Sequence, residues 1–429
     1  MLRRDSGDEP VSIWRFSARG LWRALGPGLV TGAADDDPSG IATYSQAGAQ
    51  FGFALLWTVF LTLPFMAAIQ IISACIGWDT RRGLANNIAR VLPAAALYPL
   101  VASLLVANTV NIAADLAAMG AGLRLIIGGP GLVYALAFGL GCLAAEIFVP
   151  YHRYVGYLKF LTLVLFVYVA AAFSIQVPWV QVLRATLLPQ VSLDRNLLLT
   201  IVAVFGTTIS PYLFFWQASQ EAEESRLSYR GRRKAATPLS HTAFRHIARD
   251  TWTGMIVSNL VAFFIIVTTA ATLHAHGLTK ITTAAQAAEA LRPIAGFFTF
   301  ALFSAGIIGT GLLAVPVLAG SAAYAVAETF HLRGSLELPA NRAIGFYAIV
   351  SAATLAGAGL TLTKMDPIAM LFWAAVINGV VAVPIMAVMM ILVSRKARTV
   401  VLPAWLKSLG WLATALMAVA VALMLLSAL

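Results

Sequence analysis

Charged residues are scarce in this sequence. Asp, Glu, Lys and Arg make up only 11% of its 429 residues, whereas soluble globular domains carry roughly 25%. Hydrophobic residues reach 60%, and the mean hydropathy is +0.84. This balance excludes a soluble enzyme or a soluble binding domain, and it predicts an all-α polytopic membrane protein.

Cysteine and histidine offer no metal-binding pattern. The 2 cysteines, Cys75 and Cys142, fall inside apolar segments, which favours buried free thiols over a disulfide framework or a thiolate site. His274 and His276 would lie on different faces of a helix end, so both are expected in an outer loop. No nucleic-acid motif accompanies the net charge of +11, and the basic residues are assigned to short loops.

About eleven apolar segments are predicted to cross the membrane as helices. They lie near residues 24–48, 52–77, 96–127, 131–150, 154–177, 196–224, 250–273, 296–327, 341–361, 366–394 and 407–427. Residues 1–23 carry arginines and no long apolar core, which predicts a cytoplasmic N-terminal tail and not a signal peptide. Since the loops are short, residues 24–429 are expected to form a single transmembrane domain.

Lysine and arginine are distributed unevenly between the two sides of the predicted membrane. With the N-terminus inside, 23 of the 29 fall on the cytoplasmic side and 6 on the outer side. Cytoplasmic loops of membrane proteins carry such an excess of positive charge. The pattern predicts a cytoplasmic N-terminus and an external C-terminus, with a bacterial inner (plasma) membrane as the expected location.

The first predicted span contains three consecutive aspartates, Asp35, Asp36 and Asp37, followed by Pro38. A carboxylate in hydrocarbon costs roughly 3 kcal/mol or more, so an intramembrane aspartate indicates a functional site. Pro38 lacks an amide hydrogen and disfavours helix at the preceding residue. Broken helices at membrane depth are tolerated where they line a cavity or are buried in protein. The pattern therefore predicts a cation site at mid-membrane; capping of the second half-helix is the structural alternative, although one cap suffices there.

The sixth predicted span is interrupted in a similar way. Its segment Phe205–Tyr212 places glycine, small hydroxyl residues and proline inside an apolar run. Five spans separate the two interruptions, which is typical of a five-plus-five inverted repeat whose broken helices face each other at the bilayer midplane. The repeats are predicted at about residues 24–177 and 196–394, with 407–427 as an extra helix.

Four segments, in three of the predicted spans, resemble the NRAMP divalent-metal transporters. Gly26–Gly28 and Asp37–Gln50 are similar to the family's first helix, with its Asp-Pro-Gly-Asn motif. Thr207–Leu213 is less similar to the family's Ala-Thr-Val-Met-Pro-His-Asn, and Asn111–Ala117 is similar to its Ala-Thr-Asp-Leu-Ala-Glu segment. The resemblance implies a LeuT-type fold of the APC superfamily, with alternating access around a central metal site. It implies a transporter and not an enzyme, with no cofactor beyond the transported cation and no obligate protein partner.

The departures from the family pattern concern the metal ligands. Asp37 stands at the family's metal-binding Asp, Gly40 replaces its Asn ligand, and Ser210 replaces the Met whose thioether favours soft metals. These substitutions resemble the NRAMP-related magnesium transporters, which lack proton coupling. Asp115 stands at an acidic position of the family's proton route, but Tyr212 replaces the pathway His, which implies weak or absent coupling.

The residues themselves predict an all-oxygen site. The expected donors are the Asp37 carboxylate, the hydroxyls of Ser210 and Thr207, and main-chain carbonyls freed at Ala34 and Thr207 by the broken helices. Oxygen ligands suit Mg²⁺ and Mn²⁺, and Mg²⁺ usually keeps several waters. Since Gly40 has no side chain, the site has room for those waters. Hydrated Mg²⁺ is the expected substrate and Mn²⁺ the second.

Further polar residues inside the spans are assigned to the surroundings of the site. Asp35 and Asp36 are expected to act through water or to attract cations in the vestibule, and a proton role for one of them stays open. Asp115 and Asn111 share a helix face, which fits a vestibule lining or a structural network. The other candidates are Tyr212, which could help to close the pathway, Asn378, which would reach the site or pack between helices, and Glu221 and Glu224, which would form an acidic exit or a solvated helix end.

Three alternatives remain open at this point. An intramembrane hydrolase would need a catalytic dyad, and only Asp37 and Asp115 are candidates for one. The same fold also fits a proton-coupled Mn²⁺/Fe²⁺ transporter. A third alternative is an organic-cation transporter with a polyamine-like substrate.

Overall fold

The computed structural model describes residues 27–149, 163–189, 194–228, 239–336, 338–363, 365–395 and 402–427. Within these ranges the chain is helical and contains no β-strand. The predicted N-terminal tail and the junction between the fourth and fifth predicted spans lie outside the described residues.

Seventeen α-helices occur in the described ranges. They are α1 Pro27–Asp35, α2 Pro38–Phe51, α3 Leu56–Thr80, α4 Leu84–Ile88, α5 Ala94–Ile127, α6 Gly131–Phe148, α7 Phe166–Ser174, α8 Trp179–Leu187, α9 Arg195–Thr208, α10 Pro211–Ser228, α11 His241–Thr272, α12 Ala284–Ala288, α13 Arg292–Ala295, α14 Thr299–Thr329, α15 Ile344–Leu360, α16 Pro367–Ser394 and α17 Ala404–Leu426. Short 3₁₀ helices join several of them, at Gly52–Leu55, Leu163–Leu165, His274–His276, Glu289–Leu291, Gly296–Phe298 and Ala340–Arg342.

By length and composition, the described residues contain 8 helices able to cross a membrane, or up to 9 if the bent pair α7 and α8 is one span. The number is below eleven for identifiable reasons. Residues Pro38–Thr80 join two predicted spans into one apolar stretch, and α15 has only 17 residues. The bent pair turns by 119° between its two helices. The membrane-helix class is confirmed, and the count of eleven crossings stays a prediction.

The first span is broken between α1 and α2, as the sequence predicts. In an uninterrupted helix the Ala34 carbonyl would accept from the amide of residue 38, but Pro38 has no N–H. Asp37 adopts an extended conformation at the start of α2, and its side chain accepts from the Gly40 amide. Proline therefore ends hydrogen bonding along α1, and the aspartate caps α2.

The sixth span is broken between α9 and α10 in the same way, by a proline that lacks an amide hydrogen. Pro211 removes the amide that the Thr207 carbonyl would accept from. Residues Ile209 and Ser210 lie between the two helices. Both predicted breaks are confirmed, and each lies where a proline follows the freed carbonyl by four residues.

Small residues let helices pack closely around the two breaks. A Cβ at Gly32 of α1 would clash with the backbone of Gly254 on α11, and a Cβ at Gly206 of α9 would clash with Ala375 and Gly379 on α16. Glycine at such contacts allows membrane helices to approach at backbone distance. The Gly28 amide also donates to Asp250 Oδ2 of α11 at 2.6 Å. These contacts fix α1 against α11 and α9 against α16, so that the breaks are held inside the bundle.

Candidate metal centre

Asp37 is the most constrained carboxylate near the breaks. It is 1% exposed, and its Oδ1 accepts from the Ser39 hydroxyl at 2.6 Å and from the Gly40 amide at 2.8 Å. Its Oδ2 accepts from Asn111 Nδ2 at 3.0 Å and lies 3.5 Å from the Tyr212 hydroxyl. An ionised carboxylate only accepts hydrogen bonds, and donors on both oxygens fit that form. The geometry holds one anionic group at the point where the first span breaks.

The two breaks face each other directly. Ser39 Oγ lies 3.4 Å from Thr207 Oγ1, and the Tyr44 hydroxyl lies 3.0 Å from Thr208 Oγ1. A Cβ added to Gly40 would come within 3.3 Å of Thr207 Oγ1. Gly40 therefore lies against the second break, and any side chain at this position would enter the space between the two breaks.

Tyr212 joins the second break to the first. Its hydroxyl donates to the Ala34 carbonyl at 2.9 Å. Pro38 frees this carbonyl from the helix, as predicted, but Tyr212 fills the vacated hydrogen-bonding position. The Tyr212 side chain is fully buried, and its own carbonyl accepts from Ser321 of α14 at 2.8 Å. Tyr212 is thus a member of the centre, and it ties the end of α1 to α10.

Ser210 directs its hydroxyl hydrogen back to its own span. Its Oγ lies 2.7 Å from the Gly206 carbonyl and 2.8 Å from the Thr207 carbonyl. The Thr207 carbonyl, freed by Pro211, is therefore also engaged. A serine hydroxyl that donates one bond keeps lone pairs on its oxygen, so Ser210 Oγ can still face a cation as an acceptor. Ser210 is 1% exposed and lies in the break between α9 and α10.

Asp35 and Asp36 point to a different helix from Asp37. The Ser258 hydroxyl of α11 lies 2.6 Å from Asp35 Oδ2 and 3.0 Å from Asp36 Oδ1. The two carboxylates are 1% and 5% exposed. In this conformation α11 covers both side chains, and their role as vestibule groups stays a prediction. Sequence reasoning missed Ser258, since a single serine in a helix far along the chain carries no local signal.

The polar residues of α5 divide into two roles. Asn111 bonds Asp37, whereas Asn108 donates to the Leu318 carbonyl of α14 at 3.0 Å and joins two helices. Asp115 is fully buried, and neither of its carboxylate oxygens has a hydrogen-bond partner in the described part of the chain. Asp37 and Asp115 share no hydrogen bond there, and the two carboxyls lie within electrostatic range of each other.

Asn378 lies on α16 and is also fully buried. Neither its amide nitrogen nor its amide oxygen has a partner among the described residues. Its neighbour Gly379 lies against Val202 and Gly206 of α9, which places Asn378 at the level of the second break. A buried amide without hydrogen bonds costs about 1–3 kcal/mol. Asn378 can therefore still form hydrogen bonds to a group that is not part of the described chain.

The acidic residues after the second break are not a simple solvated helix end. Glu221 is 3% exposed, and Glu224 is partly buried. Their neighbour Glu223 accepts from the Tyr324 hydroxyl of α14 at 2.9 Å. The solvated-end alternative is therefore wrong for Glu221, and α10 is packed into the bundle along this face.

The donor set of the centre consists of oxygen groups around a single carboxylate. Among the described residues, no group of three or more His, Cys, Asp or Glu side chains could hold a metal ion. The groups that bond Asp37 are hydroxyl and N–H donors, so the oxygens near it that could bind a cation are its own carboxylate and the hydroxyls of Ser39 and Tyr212. Carboxylate and hydroxyl oxygens are ligands that suit a hard cation.

Comparison with known proteins gives one family match and several relatives. Residues 28–427 match the family model for natural resistance-associated macrophage protein-like (Nramp) proteins. The divalent metal cation transporter MntH of Verminephrobacter eiseniae is 28% identical over 303 residues, which cover 70% of this chain and 66% of that protein. MntH of Yersinia enterocolitica is 29% identical over 309 residues, covering 70% and 71%. These relatives are named as transporters and not as enzymes.

Solved structures support the fold. The manganese transporter of Eremococcus coleocola, in complex with an aromatic bis-isothiourea compound, superimposes with a TM-score of 0.71 at 17% identity, over 97% of this chain and 88% of the other. Mhp1, a nucleobase-cation-symport-1 transporter, gives a TM-score of 0.57 at 12% identity, over 94% and 92%. The predicted LeuT-type arrangement is confirmed by these neighbours.

Proposed function

This chain belongs to the Nramp family, and from that membership we propose that it carries divalent metal cations across the membrane by alternating access. The substrate is hydrated Mg²⁺, with Mn²⁺ as a second substrate, and transport has weak or no proton coupling. The relatives named MntH are divalent metal cation transporters, and they support the cation class. The preference for Mg²⁺ and the weak or absent proton coupling are inferred from the residues of the centre.

The observation that carries the proposal is the environment of Asp37. This carboxylate is buried at the break of the first span and receives hydrogen bonds from Ser39, Gly40 and Asn111. A buried negative charge is costly unless a positive charge pairs with it, and a bound cation would supply that charge. In the proposed site Asp37 binds the ion directly, Ser210 and Thr207 supply hydroxyl or carbonyl oxygens, and Ala34 supplies a carbonyl when Tyr212 moves away.

Small residues at the two breaks support Mg²⁺ over a bare transition metal. Gly40 adds no side chain where even a Cβ would lie 3.3 Å from Thr207 Oγ1, and Ser210 is a small oxygen donor. Mg²⁺ gives up water reluctantly and is commonly held by one or two carboxylates plus waters. In this proposal Asn111 and Asp115 accept hydrogen bonds from those waters, as does Asn378, because their oxygens otherwise lack donors.

A cavity lies beside the two broken spans, on the side that the proposed topology assigns to the outside. A cavity of about 700 Å³ lies between the ends of α2, α9 and α16 and the loop after α11. Amide and hydroxyl side chains line much of its polar surface, including Gln46, Gln50, Asn196 and Thr200. In the proposed topology, with the N-terminus cytoplasmic, this cavity opens to the outside. Substrate then enters between the two broken spans and leaves past Glu221 and Glu224.

The family's proton-coupled mode for Mn²⁺ or Fe²⁺ is the second candidate. It is favoured by Asp115, a buried carboxyl without a hydrogen-bond partner in the described chain. An organic cation has less support, since the centre offers one carboxylate in a confined polar space.

The experiment uses proteoliposomes loaded with magnesium-sensitive or manganese-sensitive dyes. The wild type is compared with Asp37→Asn, which keeps the size and capping oxygen of the side chain but removes its charge. We expect uptake of both metals in the wild type and uptake at the level of empty vesicles in Asp37→Asn. Absence of metal-driven signal in the wild type, or undiminished flux in the variant, contradicts the proposal.

A pH-sensitive dye inside the same vesicles tests coupling. Weak or absent coupling predicts no metal-driven acidification of the lumen. Acidification in step with metal entry selects the second candidate.

A further inference from the structure

Glu146 is a second buried carboxyl that the metal centre does not use. It lies in the last turn of α6 and is 3% exposed, although its place near the end of a span predicts an interfacial residue. Neither of its carboxylate oxygens has a hydrogen-bond partner in the described chain. An ionisable group buried inside a membrane protein is costly to keep and indicates function.

Two titratable groups lie within electrostatic range of Glu146. Cys142 lies one turn earlier on α6, is 2% exposed, and lies within electrostatic range of both Glu146 and Asp115 of α5. From α15, Tyr347 lies within electrostatic range of Glu146 and donates its hydroxyl hydrogen to the Leu338 carbonyl at 3.0 Å. Neither neighbour is a lysine or arginine, so neither compensates the charge of an ionised Glu146 within the described chain.

The three helices around Glu146 are closely packed. Gly139 of α6 contacts Leu116 of α5 and Ala358 of α15, and a Cβ at Gly357 of α15 would come within 2.6 Å of Ile112 on α5. These contacts are apolar and lie about two turns from Glu146 along α6. The carboxylate oxygens of Glu146 have no hydrogen-bond donor in the described chain, so an ionised Glu146 would leave an uncompensated buried charge in this packing, whereas a protonated Glu146 removes it.

We propose that Glu146 is a proton-binding site, separate from the metal centre, that links the packing of α5, α6 and α15 to pH. The proton stays on the carboxyl while the three helices are closed, and it leaves to water when α6 separates from its neighbours during transport. Glu146 lies in the last turn of α6, in the half that the sequence assigns to the cytoplasm, so the proton exchanges with that side. The inference rests on the proposed function only for its transport assay.

The sign of the effect follows from the state that holds the proton. The closed arrangement binds one more proton than the separated one, so acid favours the closed arrangement and alkali favours separation. Since transport needs both arrangements, low pH on the cytoplasmic face slows metal flux. Glu146→Gln stays neutral at every pH and removes this dependence.

The first experiment measures Mg²⁺ flux in oriented proteoliposomes while the pH on the cytoplasmic face varies from about 5.5 to about 8.5. We expect the wild-type flux to change by about three- to tenfold, as for a single proton, and the flux of Glu146→Gln to stay level. The matched control is Glu289→Gln, which removes an exposed carboxylate paired with Arg292 and is expected to keep the wild-type profile. A wild-type pH profile in Glu146→Gln overturns the inference while leaving the proposed metal transport intact.

The second measurement does not depend on transport. Infrared spectra of the purified protein are expected to contain the C=O stretching band of a protonated carboxylic acid that disappears in Glu146→Gln. The band should weaken as the pH rises in the wild type. An unchanged carboxylic-acid band in the variant shows that Glu146 holds no proton and also overturns the inference.

Discussion

The two broken spans use the same backbone device with different side chains. In each, a proline follows a carbonyl residue by four positions, Pro38 after Ala34 and Pro211 after Thr207. The residue before each proline is polar, but it is Asp37 in the first span and Ser210 in the second. The first break accepts hydrogen bonds from three helices, whereas Ser210 bonds only to its own span. We infer that the first break supplies the negative charge of the centre. The second break supplies small uncharged oxygen groups that border the same space.

The three aspartates of the first break differ in the helices that their side chains contact. Asp37 is bonded by Asn111 of α5 and lies near Tyr212 of α10, so it faces the second break. Asp35 and Asp36 meet Ser258 of α11 and face away from it. One hydroxyl carries a single hydrogen and satisfies one carboxylate at a time. Of the three carboxylates, Asp37 faces the second break and has donors on both oxygens, which supports the proposal that it is the primary ligand.

The largest effect is expected when the charge is moved from the first break to the second. Asp37→Ser should reduce divalent cation flux by about a hundredfold or more, because the buried cation loses its counter-charge. The double variant Asp37→Ser with Ser210→Asp should not recover it, since Ser210 lacks the donors that hold Asp37. Dye-monitored flux measures both. Recovery in the double variant would show that the two breaks are interchangeable.

The next effect concerns the support of Asp37 from α5. Asn111→Leu removes a hydrogen bond to a charged group, worth about 1.5–3 kcal/mol, and should raise the half-saturating cation concentration by about tenfold. Asn108→Leu is the matched control, because Asn108 lies on the same helix but bonds the Leu318 carbonyl. We expect this control to lower thermal stability more than apparent affinity. An equal loss of apparent affinity in Asn111→Leu and Asn108→Leu would show that the hydrogen bond from Asn111 to Asp37 does not contribute to cation binding.

A smaller effect is expected at the aspartates that face α11. Asp35→Asn and Asp36→Asn should each reduce flux by only about threefold, since an amide oxygen still accepts from Ser258 and Asp37 keeps its charge. Flux and apparent affinity are measured beside Asp37→Asn. A loss as large as in Asp37→Asn would make these residues direct ligands and remove the distinction within the first break.

The smallest effect tests the second break as a determinant of selectivity. Ser210→Met replaces an oxygen by a soft thioether and should raise the Mn²⁺ to Mg²⁺ flux ratio by roughly fivefold. Competition between the two metals in one vesicle preparation measures this ratio. Ser210→Ala is the control, because it removes the hydroxyl without adding sulfur. The same ratio in Ser210→Met as in Ser210→Ala would mean that residue 210 does not touch the ion.

The class of protein and the positions of both breaks follow from local sequence. Hydropathy identifies membrane helices because every backbone group must be satisfied within the bilayer, and Pro38 and Pro211 mark the breaks because proline has no amide hydrogen. Asp37 is also predictable, since a carboxylate in an apolar run has few structural uses. The choice of Asp37 over Asp35 and Asp36 followed from the resemblance to a known family.

Contacts between distant segments were not predictable in this way. Ser258 meets two aspartates more than two hundred residues earlier, and Tyr212 takes the carbonyl that was expected to be vacant. Glu146 and Glu221 lie near helix ends, where solvated side chains are common, yet both are buried. Sequence alone determined that helices cross a membrane and break at charged or polar residues, because these are local properties of hydropathy and backbone chemistry. Only the tertiary structure decided which carboxylate faces the second break and which are covered, because that depends on which helices pack together.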